Sequence, residues 1–370
     1  MIEELLEALT ALEMLIAAFG GGAFGAAVGA LPAFIVTGFL VIAGEVAVLV
    51  DPEVTAITDG IAFGPAFSPA VSFGGGAAAT AYAARRGYID TGFSYHEAKR
   101  ITHALGTKPD VLAVGGVFGI FGYWLTELSA VTGMPYDPIA MGVVVSALFH
   151  RMILGYSIVG EVRGNVLDMS PFERGERRSS RSAPDGGQAT LEGGTQRLEG
   201  GRDRLVVEPW LPHQYRWGNV ATIGLVAGIL GAYVALVTGS AFLAFGISAA
   251  TLLFLNLGVE NVPVTHHMTL PASTAALAAA SGPADLEGAP VAYNDGAVLA
   301  GTGGLEIALL AGGAVGIACA LFGELFQRAF YAHGDTHVDP PAAAIVFGTL
   351  LIVVLYLAGV LPTTVWVPFF

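Results

Sequence analysis

The chain has 370 residues, of which 54% are hydrophobic and 12% charged, and its mean hydropathy is +0.67. That balance excludes a soluble protein with a polar surface over most of its length and points to a polytopic, all-α membrane protein. Acidic residues outnumber basic ones by 30 to 16 and the only lysines are Lys99 and Lys108, a balance like that of halophilic archaea, whose highly charged surfaces stay hydrated in strong salt.

Glycine, at 51 residues, suits helices that approach closely or are interrupted. A single cysteine, Cys319, rules out an internal disulfide and a thiolate metal cluster. The N-terminal MIEELLEALTALEML has no basic region and no small-residue cleavage site, so the first membrane helix is expected to be retained rather than removed as a signal peptide.

From Ala8 to Val50 the chain is mostly apolar but interrupted at Gly20, Gly21, Gly22 and Pro32, which at roughly 20 residues per span predicts two helices. An acidic loop, Asp51 to Gly60, leads into Ile61 to Ala84, long enough to span yet broken by Pro65, Pro69 and a glycine triplet. A basic segment, Arg85 to Asp110, precedes two apolar spans, Val111 to Val131 and Pro138 to Gly160. Residues 163–215, rich in Gly, Ser and charge, are expected to form a flexible cytoplasmic linker between membrane units 1–162 and 216–370.

The second unit repeats the pattern, with spans near Trp217 to Val237, Ala241 to Leu257, Val262 to Ser281, Glu306 to Phe330 and Pro341 to Leu361. Thr37-Gly38 matches Thr238-Gly239, Pro69-Ala70 matches Pro271-Ala272, and Asp137-Pro138 matches Asp339-Pro340. GGVFGIFGYWLTEL matches GGAVGIACALFGEL, which aligns Glu127 with Glu324. About ten transmembrane elements in two five-helix repeats are therefore expected, the third of each broken or re-entrant.

Loop charge sets the orientation. Arg85 to Asp110 carries Arg85, Arg86, Lys99, Arg100 and Lys108, whereas its counterpart, Gly282 to Gly304, has no Lys or Arg. By the positive-inside rule the first is cytoplasmic and the second external. Five crossings per half then make the repeats inverted. Four spans plus a re-entrant loop per half would make them parallel, with both loops on one side; the charge asymmetry favours inversion.

Substrate sites in such proteins form where interrupted helices from the two halves meet. The pathway candidates are Asp59, Pro65, Ser68 and Pro69 in the first half and Asn261, Thr265, His266, His267, Thr269 and Pro271 in the second. Adjacent helical residues point about 100° apart, so only one of His266 and His267 can face a given ligand. Glu127 and Glu324, acids inside apolar spans, are candidates for a carboxylate pair around a pseudo-two-fold axis. Glu45 is expected to pair with Arg151 or His150.

His333, Asp335, His337 and Asp339 alternate, and in an extended segment lie on one face as an N/O ligand set for a divalent metal. Asp339-Pro340 and Asp137-Pro138 also read as helix starts, with Asp at N-cap and Pro at N1. HExxH, P-loop and Gly-x-Ser-x-Gly motifs are absent, as is a soluble domain large enough for an ATPase. These features favour a multi-pass cell-membrane permease or channel for a small solute or ion, not an enzyme. The alternatives are an intramembrane metal protein and a structural envelope subunit. Expected partners are the lipid bilayer, the solute or ion and a second copy of the chain, with no nucleic acid.

Overall fold

A computed structural model describes residues 2–179, 203–281 and 305–369. The first unit contains α1 (Ile2–Thr10), α2 (Leu12–Val28), α3 (Ala30–Val50), a π-helical turn (Ala56–Ala62), α4 (Ser72–Arg85), α5 (Pro109–Val131) and α6 (Pro138–Ile153). A short α7 (Ser170–Glu173) and two strands follow, β1 (Arg177–Ser179) and β2 (Asp203–Leu205), paired antiparallel with Arg177 opposite Leu205. The second unit contains α8 (Trp217–Thr238), α9 (Leu243–Asn256), α10 (His266–Ala280), α11 (Leu305–Phe326, continued by a π turn to Tyr331) and α12 (Pro340–Leu357).

Among the described residues, five helices are long and apolar enough to cross a membrane: α3, α5, α8, α11 with its π turn, and α12. A sixth span counts if α1 and α2, bent by 52°, act as one. Of the about ten transmembrane elements expected, the third of each half broken or re-entrant, α4 and α10 have only 14 and 15 residues, and α6 and α9 are short apolar helices rather than full spans. At 1.5 Å per residue, α4 and α10 reach about two thirds of the way across a ~30 Å hydrocarbon layer.

Helix limits follow local chemistry. The break between α2 and α3 falls at Gly29, whose φ of 99° a side chain resists. It does not fall at Gly20 to Gly22, which lie inside α2, or at Pro32, which sits in the first turn of α3 where proline is tolerated. Asp137 Oδ1 accepts hydrogen bonds from the Ile139 and Ala140 amides at 2.8 and 3.1 Å, and Asp339 Oδ2 accepts one from Ala342 at 2.8 Å. Each aspartate precedes a proline at N1, as the sequence predicts.

In the first unit α2 packs on α4 and α5, α4 on α5, and α5 on α6; in the second α8 packs on α10 and α11, α10 on α11, and α11 on α12. The units meet where α3 crosses α9 and α6 meets α12. The tightest crossings put glycine on glycine: a Cβ built on Gly119 would lie 2.8 Å from the Gly22 Cα, and one on Gly316 would lie 2.7 Å from the Gly228 Cα. Such spacing lets backbones touch, which gains dispersion contacts in a medium where burial of apolar surface gains nothing.

Residues 86–108, 203–215 and 332–339 close one end of the bundle, here called the basic end. Leu205 N donates to Ser94 O at 3.2 Å, Glu208 N to Ala332 O at 2.9 Å, and Lys99 Nζ to Tyr331 O at 2.8 Å. The expected flexible linker is therefore folded at both described flanks, with Met169, Val206, Val207 and Tyr215 forming a small core with Ala332; residues 180–202 lie outside the described residues. The apolar run LVVEPWLP, residues 205–212, lies in this folded part, and the expectation of a flexible linker passed over it.

Replacing Gly22 or Gly119 by valine should overpack the α2–α5 crossing and cost about 1–3 kcal/mol or more, lowering the thermal melting point of the purified protein in detergent. Gly20→Ala is the control, since a Cβ there meets nothing within 4 Å and should leave the melting point unchanged or raise it. Equal effects at the two kinds of position would refute the packing account.

Candidate functional site

The interrupted elements come first. Before α4 the chain turns without regular helix through residues 63–71, and the Thr37 hydroxyl of α3 donates to the freed Phe67 carbonyl at 2.7 Å. Before α10, Gln214 clamps Val264 from both sides: its amide accepts from Val264 N at 3.1 Å and donates to Val264 O at 3.2 Å. Ser248 of α9 bonds the Thr265 hydroxyl, and Asn261 makes the bend with φ of 62°. Polar groups of neighbouring elements thus supply partners that a continuous helix would not need.

Between these elements lies a cavity of about 310 Å³ at the junction of the two units. Phe34, Phe63, Phe73, Phe242 and Phe245 form much of its wall. Phe34 packs edge-on against Phe73 and Phe245, each at 6.0 Å between ring centres. The N-terminal ends of four helices border it: Phe73 on α4, Pro138 and Ala140 on α6, His266 on α10, and Ala342 on α12. Asp137 and Asp339, the caps of α6 and α12, also line it.

His266 is the polar side chain that α10 contributes to this cavity. It is 5% exposed, its ring lies 4.8 Å from that of Phe34 and 5.9 Å from that of Phe245, and its Nδ1 has no partner. His267 points away, toward Trp210 and Gly323. The 100° divergence expected of neighbours on a helix is what separates them.

A second cavity of about 680 Å³ opens at the basic end and shares Leu31, Ile101, Trp210 and Leu255 with the first. Lys99, Arg100, His213, Glu260 and Asn261 lie on its wall. Lys99 is buried there: Nζ sits 2.7 Å from Glu208 Oε2 and 4.4 Å from the centre of the Tyr331 ring. Burial holds the Lys99 ammonium down to about 8, against the pull of Glu208.

The other expected residues are distributed as follows. Pro69 lines the central cavity. Ser68 is buried beside it with an unpartnered hydroxyl, while Pro65 is part-buried outside the lining. Asp59 is exposed on the π turn. Thr269 bonds its own helix at His266 O, and Pro271 packs against Gly348.

Glu127 and Glu324 do not pair. Glu324 is held by Arg328 at 2.6 Å and by Gln327 near the basic end, where α11 terminates, whereas Glu127 is near the far end of α5. Thr126, its neighbour, reaches the cavity instead. Glu45 does not meet Arg151 or His150: it accepts hydrogen bonds from Thr58, at 2.9 Å, and Ser240, while Arg151 and His150 bond Thr336.

The four alternating residues of the last loop have separate partners. His333 faces Val166 O, Asp335 pairs with Arg204, and His337 bonds Asp339 at 3.1 Å. Among the described residues no three His, Cys, Asp or Glu side chains converge as a metal would require. The loop is not a single extended strand, so a period of two does not bring the side chains to one point. Sequence reading missed the phenylalanine wall, because apolar residues in apolar spans carry no mark, and it missed the Lys99–Glu208 pair, whose members are 109 positions apart.

Fold and cavity together define a multi-helix protein of membrane-spanning character with a chamber where its two units meet. Residues 4–370 match DUF7973, a family of unknown function, and the chain belongs to that family. No curated protein and no solved structure matches it.

Lys99→Met should cost roughly 3–5 kcal/mol by leaving Glu208 buried without its ammonium, and Lys99→Met with Glu208→Gln should recover much of that. The depressed folded value also sets a pH trend: the folded state sheds the Lys99 proton near pH 8 and the unfolded chain near 10.5, so this group adds stability as pH rises between them. Melting curves across that window should lose the rise in Lys99→Met; an unchanged slope would refute it.

Proposed function

We propose that this protein is a permease built as two inverted repeats, passing a small solute through the chamber between α4 and α10. The observation that carries the reading is the chamber itself. It sits where two interrupted helices from different units approach, and it shares Leu31, Ile101, Trp210 and Leu255 with the wall of the basic-end vestibule.

Inversion has its own support. α5 leaves the basic end at Pro109, while α11 arrives there at Tyr331, whose carbonyl meets Lys99. Equivalent helices thus run in opposite directions. The matched glycine crossings, Gly22 on Gly119 and Gly228 on Gly316, support duplication independently. With α1–α2, α3, the π turn with α4, α5 and α6 as crossings, each half of this reading has five elements. The five basic residues near the vestibule make that side cytoplasmic.

On this reading the third elements pair in a register suggested by their glycine contacts. Gly25 abuts the carbonyl of Ser72 and Gly231 that of Thr269; Gly74 faces Ser146 as Pro271 faces Gly348. On that register Thr269 answers Ser72 and Pro271 answers Gly74, so Pro69 answers His266, and Asp59 and Asn261 are not counterparts. Likewise Gly239, with φ of 72° after α8, answers Gly29 and not Gly38. Glu127 and Glu324 remain equivalent, and inversion is the reason they lie at opposite ends.

Two labelling experiments, in a Cys319→Ala background, test this. Single cysteines at Thr107 and Asp285 should react with a membrane-impermeant reagent from opposite faces of proteoliposomes; same-face labelling would sink the inverted repeat. Cysteines at Phe34 and Ala140 should react from both faces, since a permeation path is open to each side in turn. A position that labels from one face only, under every condition, would make the chamber a blind pocket.

A further inference from the structure

We infer that the central chamber binds an organic monocation with an aromatic or branched apolar body, its charged head beside Asp137 and its body against the aromatic wall. The inference names the solute class of the permease reading and rests on it for the claim that this ligand is moved.

The sign of the wall comes first. Asp137 and Asp339 line the chamber, and among the described residues no Lys or Arg does. The broken helices do not reverse that sign. At α4, Ser72 N donates to Ser68 O at 2.8 Å and Gly74 N to Pro69 O at 2.9 Å; at α10, Met268 N and Thr269 N donate to Thr265 O at 2.9 and 3.0 Å. These first-turn amides are satisfied by the chain just before them, so the two carboxylates remain the full charges on the wall.

The carboxylates differ in what they still need. Asp339 uses both oxygens, Oδ2 on the Ala342 amide at 2.8 Å and Oδ1 on His337 at 3.1 Å. Asp137 gives Oδ1 to the Ile139 and Ala140 amides, and its Oδ2 has no partner among the described residues. The side chain is only 7% exposed, yet Oδ2 is not one of the unpartnered atoms that the fold shields completely. The space that Asp137 lines is the chamber. A buried polar atom is nearly always hydrogen-bonded, and a buried carboxylate calls for a positive partner. The protein supplies none here, and a bound cation would.

The rest of the wall selects the kind of cation. Five phenylalanines and two tryptophans line the chamber, with Phe34 6.0 Å from Phe245 and Phe242 5.1 Å from Trp366. Aromatic faces attract a cation within about 6 Å of the ring centre, and ammonium groups on organic ligands are the usual guests of such cages. A divalent metal needs several oxygen ligands, which one free carboxylate oxygen among rings does not provide. A chamber of about 310 Å³ suits one small molecule with an apolar body and a single polar anchor. The vestibule raises no barrier of sign, since Lys99 is paired with Glu208 and Arg100 shares the wall with Glu260.

Benzyltrimethylammonium, benzyl alcohol and phenylacetate share a benzyl group and differ in charge, so thermal stabilisation of the purified full-length protein by each tests the assignment. The cation should raise the melting point saturably at millimolar concentration, with the other two at least tenfold weaker. Asp137→Asn keeps a capping oxygen and removes the charge, and should weaken the cation at least tenfold; Glu127→Gln, which removes a charge outside the lining, should leave it within twofold. Should Asp137→Asn fail to fold, Ala140→Cys in the Cys319→Ala background gives a second reading: saturating benzyltrimethylammonium should slow its modification by a small maleimide at least fivefold. Benzyl alcohol equal to the cation, phenylacetate stronger than it, no effect of any of the three, equal losses in the two acid variants, an undiminished effect in folded Asp137→Asn, or unslowed modification of Ala140→Cys would each overturn the site. Cation binding with one-sided labelling at Phe34 and Ala140 would overturn transport and leave the site; two-sided labelling without cation binding would do the reverse.

Discussion

A helix that stops inside a hydrocarbon layer frees backbone groups that lipid cannot satisfy, so the protein around it must supply partners. That constraint governs this fold. Thr37 and Ser248, on the helices that cross at the junction of the units, meet the chain just before α4 and α10, and Gln214 reaches in from the segment after β2. The α3–α9 crossing is close because Gly38 carries no Cβ; one built there would lie 2.7 Å from Ala250 N. Close approach, in turn, is what brings both hydroxyls within reach of the broken elements.

The same economy of polar groups holds the basic end together. Lys99, Arg151 and Arg328 are buried, and each has oxygen partners on more than one segment: Glu208 and Tyr331 for Lys99, Thr336 and Phe330 for Arg151, Glu324 and Tyr215 for Arg328. Buried charges persist only when paired or hydrogen-bonded. Here the pairing ties the α4–α5 loop, the segment after β2 and the α11–α12 loop into one cap, which gives the vestibule rigid walls. Far from it, Glu45 joins the units through Thr58 and Ser240, the latter also capping α9 through the Phe242 and Leu243 amides.

Much of the plan was legible. Composition predicted the membrane class and Asp-Pro predicted two helix starts, while the glycines shared by GGVFGIFG and GGAVGIACALFG, read as a repeat, lie at two similar helix crossings. These signals are local: a cap needs one residue, and a glycine face needs only helical period. Aligned prolines misled, because proline precedes α4 in one unit and lies within α10 in the other. Identical residues have different backbone roles, so matching letters does not by itself fix a register. The alternating His and Asp of the last loop misled for the complementary reason, since a period of two has meaning only in an extended chain.

By itself the sequence determined that the chain is helical and suited to a membrane, where most helices lie, which two are broken, and that one of the paired histidines would turn from the other. Those properties follow from hydropathy, proline and glycine chemistry and the helical repeat, all within one or two turns of chain. Only tertiary structure decided that His266 and not His267 meets the chamber, that Phe34 and Phe245 share a wall, that Lys99 meets Glu208, and that Glu127 and Glu324 end up far apart. Those are distances between segments, set by which helix faces pack, and packing depends on side chains that hydropathy treats as alike.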